Sequence, residues 1–479
     1  MIRWGILGAG KIANRFADSL AKDPDSVLYA VSGRSREKLE AFAAKHPCEK
    51  IYVGYDEMLD DVQIDAVYLS LPHVLHREWA LKALKKKKAV LCEKPASLSE
   101  AEMREIAACA KENDTLFMEA MKPRFVPAYA KLKQLIRDGV IGELVSIRAS
   151  QCFTVPKEAY GKSYHTVPEG GGALLDSGIY CVSLAEDFLK GEPVPVQTYA
   201  NYRGFDIYTD STLRFDNGTA RIIAGFDRTE PRDAVFTGTK GMIIVKDLHR
   251  PVTFTVCTQS GEETFTIPYD KDDFYSEIRH FVSLLQEGRK ESDVMTYDAM
   301  IREAHITDVI FSQIARYDDR DLKILERQEE ELAPASFTSA DALALGNAIA
   351  ALAKEYDRGV AVRITRCSDD TTVFQYVMDD KKAANLMYAE GKKACVRDSG
   401  HSSAWVYAKT VKDGTYDYWL NDGVHAVSGG AFPLYVNGEI TYIVRVSGLH
   451  EGKDHELIVR ALSAWQNNRA YTHFIKSIG

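Results

Sequence analysis

The feature that most constrains this chain is its opening, where a short apolar run, Arg3–Leu7, leads directly into Gly8-Ala9-Gly10-Lys11-Ile12-Ala13. A strand, then G-x-G-x-x-A, then a helix with Ile12, Phe16 and Leu20 every fourth residue leaves few folds to choose from. The first glycine makes a tight turn and the second lets a pyrophosphate approach the backbone. The small Ala13 lets helix pack on strand, and the helix N-terminus faces the anion. Gly5 to Lys11 also approximates a phosphate-binding loop, but Ile12 lacks the hydroxyl that would hold magnesium, so a dinucleotide is the expected ligand. Gly8, Gly10, Lys11 and Ile12 are its first candidate contacts.

Strand–helix alternation continues to about residue 120, with further strands expected at Val27–Ser32, Ala66–Leu69, Ala89–Leu91 and Leu116–Met118. That spacing predicts a parallel sheet covered on both faces, a Rossmann domain over residues 1–122. From about Gly142, longer β-rich runs joined by turns predict an α+β domain over 123–317, with an open antiparallel sheet of about six strands. Asn217-Gly218 reads as a hairpin turn. The mixed-charge stretch ending in Ala333-Pro334-Ala335 is poor in aliphatic residues, and 318–335 is the expected linker. Residues 336–479 are expected to form a separate α+β unit in an α-β-α arrangement, with Leu345, Ile349 and Leu352 on one helix and Leu457, Ile458, Ala461, Leu462 and Trp465 on another.

Which dinucleotide binds depends on the end of the second strand. A preference for NAD normally needs an acid there for the ribose 2′-hydroxyl. The sequence instead gives Ser32-Gly33-Arg34, and Arg34 can pair with a 2′-phosphate, so NADP is expected, with NAD the alternative. The other classes of partner recede on charge and length. Sixty basic against 69 acidic residues leave a formal charge of -9, which disfavours nucleic acid. No run reaches the roughly 20 apolar residues of a membrane span. Eight scattered cysteines without a C-x-x-C pair and the lack of a signal-peptide pattern predict free thiols in the cytoplasm.

Two distant segments carry the chemistry. Glu93-Lys94-Pro95 follows the Ala89–Leu91 strand at the carboxyl end of the sheet. Gly170-Gly171-Gly172 precedes Asp176 and Tyr180, whose spacing puts both on one face if the segment is helical. With Gly8–Ala13, Leu71-Pro72-His73 and His76, these residues resemble the Gfo/Idh/MocA oxidoreductase family over about residues 1–320. Within it, Gly171–Asp176 and Gly178–Val182 are most similar to the NADP-dependent dimeric dihydrodiol dehydrogenase and D-xylose 1-dehydrogenase subgroup. Ser177 departs from that subgroup, which usually has an aliphatic residue there.

The resemblance implies hydride transfer between NADP(H) and a hydroxyl or carbonyl of a sugar, polyol or cyclic diol, with Lys94 and Tyr180 as the proton-transfer pair. A tyrosine titrating near 10 is a poor base at neutral pH, and a nearby ammonium would lower that value. Lys94 could also orient the nicotinamide ribose. The resemblance further implies that Asp176 holds substrate hydroxyls, and that Leu71, His73, His76 and Glu93 lie along the cofactor. For His73 and His76 a capping and a hydrogen-bonded structural role compete with that assignment. Arg124-Phe125 resembles a family signature too, and a structural ion pair explains Arg124 equally well. Specificity is expected in loop side chains such as those of Phe153–His165.

Residues 336–479 resemble the small haem-degrading-like (HbpS/GlcG-like) domains, through Gly400-His401-Ser402-Ser403, Gly429-Gly430-Ala431-Phe432-Pro433 and Val446–Leu449 followed by Asp454-His455. This leaves a haem- or bilin-linked reductase, or a non-catalytic ligand sensor, as the alternative function. His401, His425, His450 and His455 lack metal-ligand spacing, so no metal is expected and hydrogen-bonded roles are. The open sheet of 144–270 needs covering, which predicts a homodimer or higher homo-oligomer.

Overall fold

The computed structural model describes residues 1–449, 452–468, 470–474 and 476. The chain divides into two compact units, Met1–Asn201 with Phe205–Ile314, and Tyr202–Gly204 with Ala315–Gly479.

The first unit opens with six strands: β1 (Ile2–Leu7), β2 (Ser26–Gly33), β3 (Lys50–Val53), β4 (Ala66–Leu69), β5 (Ala89–Glu93) and β6 (Phe117–Ala120). Their order is β3-β2-β1-β4-β5-β6 and every pairing is parallel, the doubly wound arrangement with its switch point between β1 and β4. Helix α1 (Lys11–Leu20) closes on the sheet through Ala13 and Phe16, both fully buried, and Phe16 stacks on Tyr68 of β4 at 3.7 Å. β3 escapes the sequence reading because it is a four-residue strand with no buried run.

Eight strands build the second sheet of this unit: β7 (Leu144–Cys152), β8 (Val194–Tyr202), β9 (Asp206–Phe215), β10 (Gly218–Gly225), β11 (Ala234–Gly238), β12 (Gly241–Val245), β13 (Thr253–Thr258) and β14 (Gly261–Thr266). The order is β14-β13-β12-β11-β7-β10-β9-β8. Two of the six expected runs prove to be hairpins, which accounts for the higher count, and Asn217-Gly218 sits at one of those turns, between β9 and β10. The sheet is mixed, because β7 runs parallel to β10 while its neighbour β11 is antiparallel. The helices Tyr275–Gln286 and Tyr297–Ser312 return to the first sheet: Phe281 packs on Trp4 at 5.3 Å and Asp308 accepts from the Glu100 amide at 2.8 Å. That return makes 1–122 and 123–314 one compact body, not two loosely joined ones.

The expected linker is corrected. Asp319–Glu331 is a helix with a capping box at Asp318, and it belongs to the second unit, where Leu322 and Leu325 are buried in a cluster with Cys395, Ala404 and Trp419. Its buried aliphatic stripe is only these two leucines, and the other buried positions are polar, Asp321, Gln328 and Glu329, so a docked helix looks like a solvated spacer in sequence. The rest of that unit is a four-stranded antiparallel sheet, β15 (Ala361–Arg366), β16 (Thr371–Val377), β17 (Ala431–Val436) and β18 (Glu439–Ser447), in the order β16-β15-β18-β17. Alternation along the strands sends Val362, Ile364, Phe432 and Val444 to one face with Leu345, Ile349, Leu457 and Leu462. Ala431 and Ile443 meet Val396 of the Ala383–Ser399 helix on the other. The result is the expected α-β-α layering.

Candidate active site

Every sequence-predicted cofactor residue lies at, or just beyond, the carboxyl end of a strand of the parallel sheet. Gly8 has φ +98°, and a Cβ there would stand 2.8 Å from Ser70 O, so only glycine fits the turn. In front of Gly10 there is nothing within 4 Å of where a Cβ would be, and Gly10 caps α1 without any side-chain hydrogen bond. The first N–H groups of α1 therefore open onto free space, as an anion site at a helix N-terminus requires. Lys11 is exposed there and Ile12 half-buried. Arg34 is exposed immediately after β2, where a 2′-phosphate would lie. The residues present fit a dinucleotide.

The two histidines separate. His76 is wholly buried with its ring nitrogens 2.8 Å from Pro95 O and 2.8 Å from Leu71 O, so it ties the turn after β4 to the turn after β5. Its assignment as a cofactor contact is corrected to a positioning role, since neither nitrogen has room for a ligand. His73, also buried, donates from Nδ1 to Gly170 O at 2.8 Å, which fastens the glycine run to the parallel sheet. Burial, then Lys94 and His76, pull its pKa down to about 3, leaving a neutral ring whose Nε2 is an acceptor.

Lys94, Asp176 and Tyr180 converge as predicted. The Lys94 ammonium lies 3.5 Å from Asp176 Oδ1, donates to the Asp176 carbonyl and stands 5.1 Å from the centre of the Tyr180 ring. The backbone reason is a wide π-turn, Leu174–Gly178, running into the helix Ile179–Phe188. Leu174, Leu175, Ser177, Gly178 and Ile179 are buried, while Asp176 and Tyr180 share the one half-open face. Turns of this width inside helices recur at functional sites. Gly172, at φ +116°, sets up the turn, because a Cβ would collide with Asp206, whose carboxylate accepts from Leu174 N at 2.8 Å. Glu93 accepts from the Tyr68 hydroxyl and from Lys94 N at 3.3 Å, which anchors the backbone beside Lys94.

The electrostatics differ from the expectation at one point. Burial pushes the Tyr180 phenol well above its ordinary value; Lys94 opposes this, but Glu93, Asp176 and Glu277 side with burial. The phenol therefore holds its proton at neutral pH and is set as a donor. For Lys94, burial works against the charge, but Tyr180, Asp176, Tyr164 and Glu93 outweigh it and hold the ammonium above the usual range. Burial would raise the Asp176 carboxyl, yet the Lys94 ammonium holds it below the ordinary value, so it stays ionised.

Three neighbours had no motif to announce them. Tyr164, in the loop expected to carry specificity, points its hydroxyl at Asp176 Oδ1 from 3.5 Å. His249 lies 5.9 Å ring to ring from Tyr180, with Nδ1 unbonded among the described residues. Glu277 is 1% exposed and neither of its oxygens is hydrogen-bonded among the described residues, and burial, then Glu93, push its carboxyl far above the carboxylate range. His249 and Glu277 come from a β12–β13 connection and a distant helix, and only the tertiary fold brings them here. Arg124 is structural, pairing with Glu186 at 2.5 Å and Glu303 at 2.8 Å.

In the second unit, His401 pairs with Glu329 at 2.9 Å, His425 with Asp422 at 2.5 Å and Asp398 at 2.9 Å, and His455 with Gln328 at 2.9 Å. His450 lies outside the described residues.

Comparisons with known proteins agree with this layout. The family model described as an oxidoreductase family with an NAD-binding Rossmann fold matches residues 2–121, and the GFO/IDH/MocA C-terminal domain matches 129–244. A third, described as haem degrading protein HbpS-like, matches 337–463. Trans-1,2-dihydrobenzene-1,2-diol dehydrogenase of Xenopus tropicalis is 32% identical over 333 residues, covering 65% of this chain and 98% of its own. The scyllo-inositol 2-dehydrogenase (NADP(+)) IolU of Bacillus subtilis is 32% identical over 320 residues, 64% of this chain and 95% of its own. Among solved structures, the 3-ketoreductase KijD10 of Actinomadura kijaniata, in complex with NADP and TDP-benzene, superposes with a TM-score of 0.60 at 26% identity, over 65% of this chain and 97% of its own.

Proposed function

The chain belongs to the Gfo/Idh/MocA oxidoreductase family, and on that premise we propose that it interconverts a ring hydroxyl and a carbonyl of a sugar, polyol or cyclic diol using NADP(H). The nicotinamide, when bound, supplies or accepts the hydride. The chain's own residues manage the proton. Tyr180, protonated at neutral pH, donates to the nascent alkoxide oxygen when a carbonyl is reduced. Lys94 stabilises the phenolate left behind, and in oxidation the same phenolate takes the proton back. Asp176 holds a substrate hydroxyl. The observation that carries this reading is the placement of the Lys94 ammonium against both the Tyr180 ring and the Asp176 carboxylate.

The dihydrodiol and inositol dehydrogenases it resembles support the substrate class, and Arg34 supports NADP over NAD. Screening NADP⁺ reduction over aldoses, inositols and dihydrodiols with the purified chain tests it: turnover of one class with Tyr180 intact, lost in Tyr180→Phe, is the expected result. No turnover of any class by a protein that binds NADP⁺ would overturn it.

No helix among the described residues is long and apolar enough to cross a membrane, and all eight cysteines are unpaired thiols, which supports a reducing, cytoplasmic location. We expect the eight-stranded sheet to pair two copies as a homodimer. The second unit serves assembly or binds a small molecule on this reading.

A further inference from the structure

Asp176 and Tyr164 face each other across a gap wider than an ordinary hydrogen bond. Their oxygens are 3.5 Å apart, where an O–H···O bond is usually 2.7–2.8 Å. An ionised carboxylate has about four acceptor positions. Lys94 and Tyr164 approach Oδ1 of Asp176, each at 3.5 Å, and among the described residues no hydrogen bond reaches Oδ2. Asp176 is thus an under-used acceptor beside the catalytic pair.

Tyr164 is placed to complement it. It sits on a single turn, Tyr164–Thr166, with its ring edge-on to His73 at 5.0 Å, and His73 is itself pinned to Gly170. The residue is 46% exposed, so it is open to solvent as well as to Asp176. Burial of the remainder and the charge of Asp176 push the phenol up to about 12, which keeps its O–H a donor at all physiological pH.

We propose that Tyr164 is a specificity residue which, with Asp176, clamps a hydroxyl on the carbon next to the one being oxidised or reduced. A donor and an acceptor facing one another select a group that can both accept and donate. A hydroxyl does so, accepting from the Tyr164 O–H and donating to the Asp176 carboxylate. An ether or carbonyl only accepts, and a phosphate or carboxylate is repelled by Asp176. The substrate class narrows to uncharged vicinal ring diols and polyols. This inference rests on the hydride-transfer reading and deepens it.

The test measures binding, so that it does not depend on turnover. Calorimetry on the full chain loaded with NADP⁺ would compare trans-cyclohexane-1,2-diol with cyclohexanol, for the wild type and Tyr164→Phe. The diol should bind the wild type about a hundredfold more tightly than the mono-alcohol, the scale of one neutral hydrogen bond and one to a charged group together. Tyr164→Phe should lower that preference about fivefold to tenfold, the share of the neutral bond, while binding cyclohexanol as the wild type does. Because the readout is a ratio within each protein, partial misfolding does not mimic it. An equal preference in both proteins, or no preference in the wild type, overturns the inference. NADP⁺ reduction in the same samples reads the parent proposal separately: diol binding sensitive to Tyr164 without any reduction would refute hydride transfer and leave the clamp standing.

Discussion

Two lysines, one in each unit, are largely buried and face an aspartate, yet they sit in opposite kinds of surroundings. Lys392 lies 2.8 Å from Asp454 with both side chains almost fully covered, and Val446 O takes a second bond. Asp454 is completed by the Leu449 and Gly448 amides. Nothing in that pair is left over for a ligand. Lys94 stands 3.5 Å from Asp176, both somewhat open, with a tyrosine ring alongside and an under-used carboxylate oxygen. A closed ion pair holds a fold together; a slack one, surrounded by groups that are not yet satisfied, leaves capacity for chemistry.

The contrast breaks first if the two lysines respond alike. Lys94→Ala should lower turnover by about 10³-fold, within the range for a general acid–base group, with little change in thermal midpoint. Lys392→Ala should leave Asp454 buried without its counter-ion and cost about 3–5 kcal/mol of stability in denaturant titration, while turnover in the folded fraction persists. A Lys392 variant that is stable but inactive would erase the distinction. Tyr180→Phe sharpens it further: turnover should fall about 10²-fold with NADP⁺ affinity unchanged, because the ring remains and only the proton donor is lost. Arg34→Ala should weaken NADPH about tenfold more than NADH in fluorescence titrations, an effect confined to the cofactor end of the same unit.

The smallest effect concerns Glu277. Its folded-state pKa is raised by burial, so the native protein holds a proton that the unfolded chain releases above about 4.3. The stability it contributes is full below that value and declines as pH rises toward the folded pKa, by at most about 1.4 kcal/mol per pH unit. Glu277→Gln should flatten that decline. A stability profile identical to wild type would show that Glu277 is ionised after all.

What the sequence disclosed follows from how locally each feature is encoded. Gly8–Ala13, Lys94 and the Asp176–Tyr180 pair each sit in a short phrase whose spacing already implies the backbone they need. The family resemblance joins these phrases. Features defined by what arrives from elsewhere were not legible. His76 could be read as a ligand contact because burial by the Pro95 turn is invisible in one dimension. Residues 318–335 imitate a linker since two leucines suffice to dock a helix on an existing core. His249 and Glu277 carry no motif, and the upward shift of the Tyr180 phenol reflects burial together with three carboxyl groups from separate elements, which outweigh the nearby ammonium.

The wide turn at Leu174–Gly178 has an evolutionary corollary. Each helical residue advances the facing by about 100°. Dropping or adding one amino acid between the aspartate and the tyrosine would swing the former out of reach of Lys94, while exchanges that keep the count are far gentler. This stretch is length-locked: new substrates can be explored by swapping side chains on the Tyr164 loop, but indels here should end the lineage's activity outright.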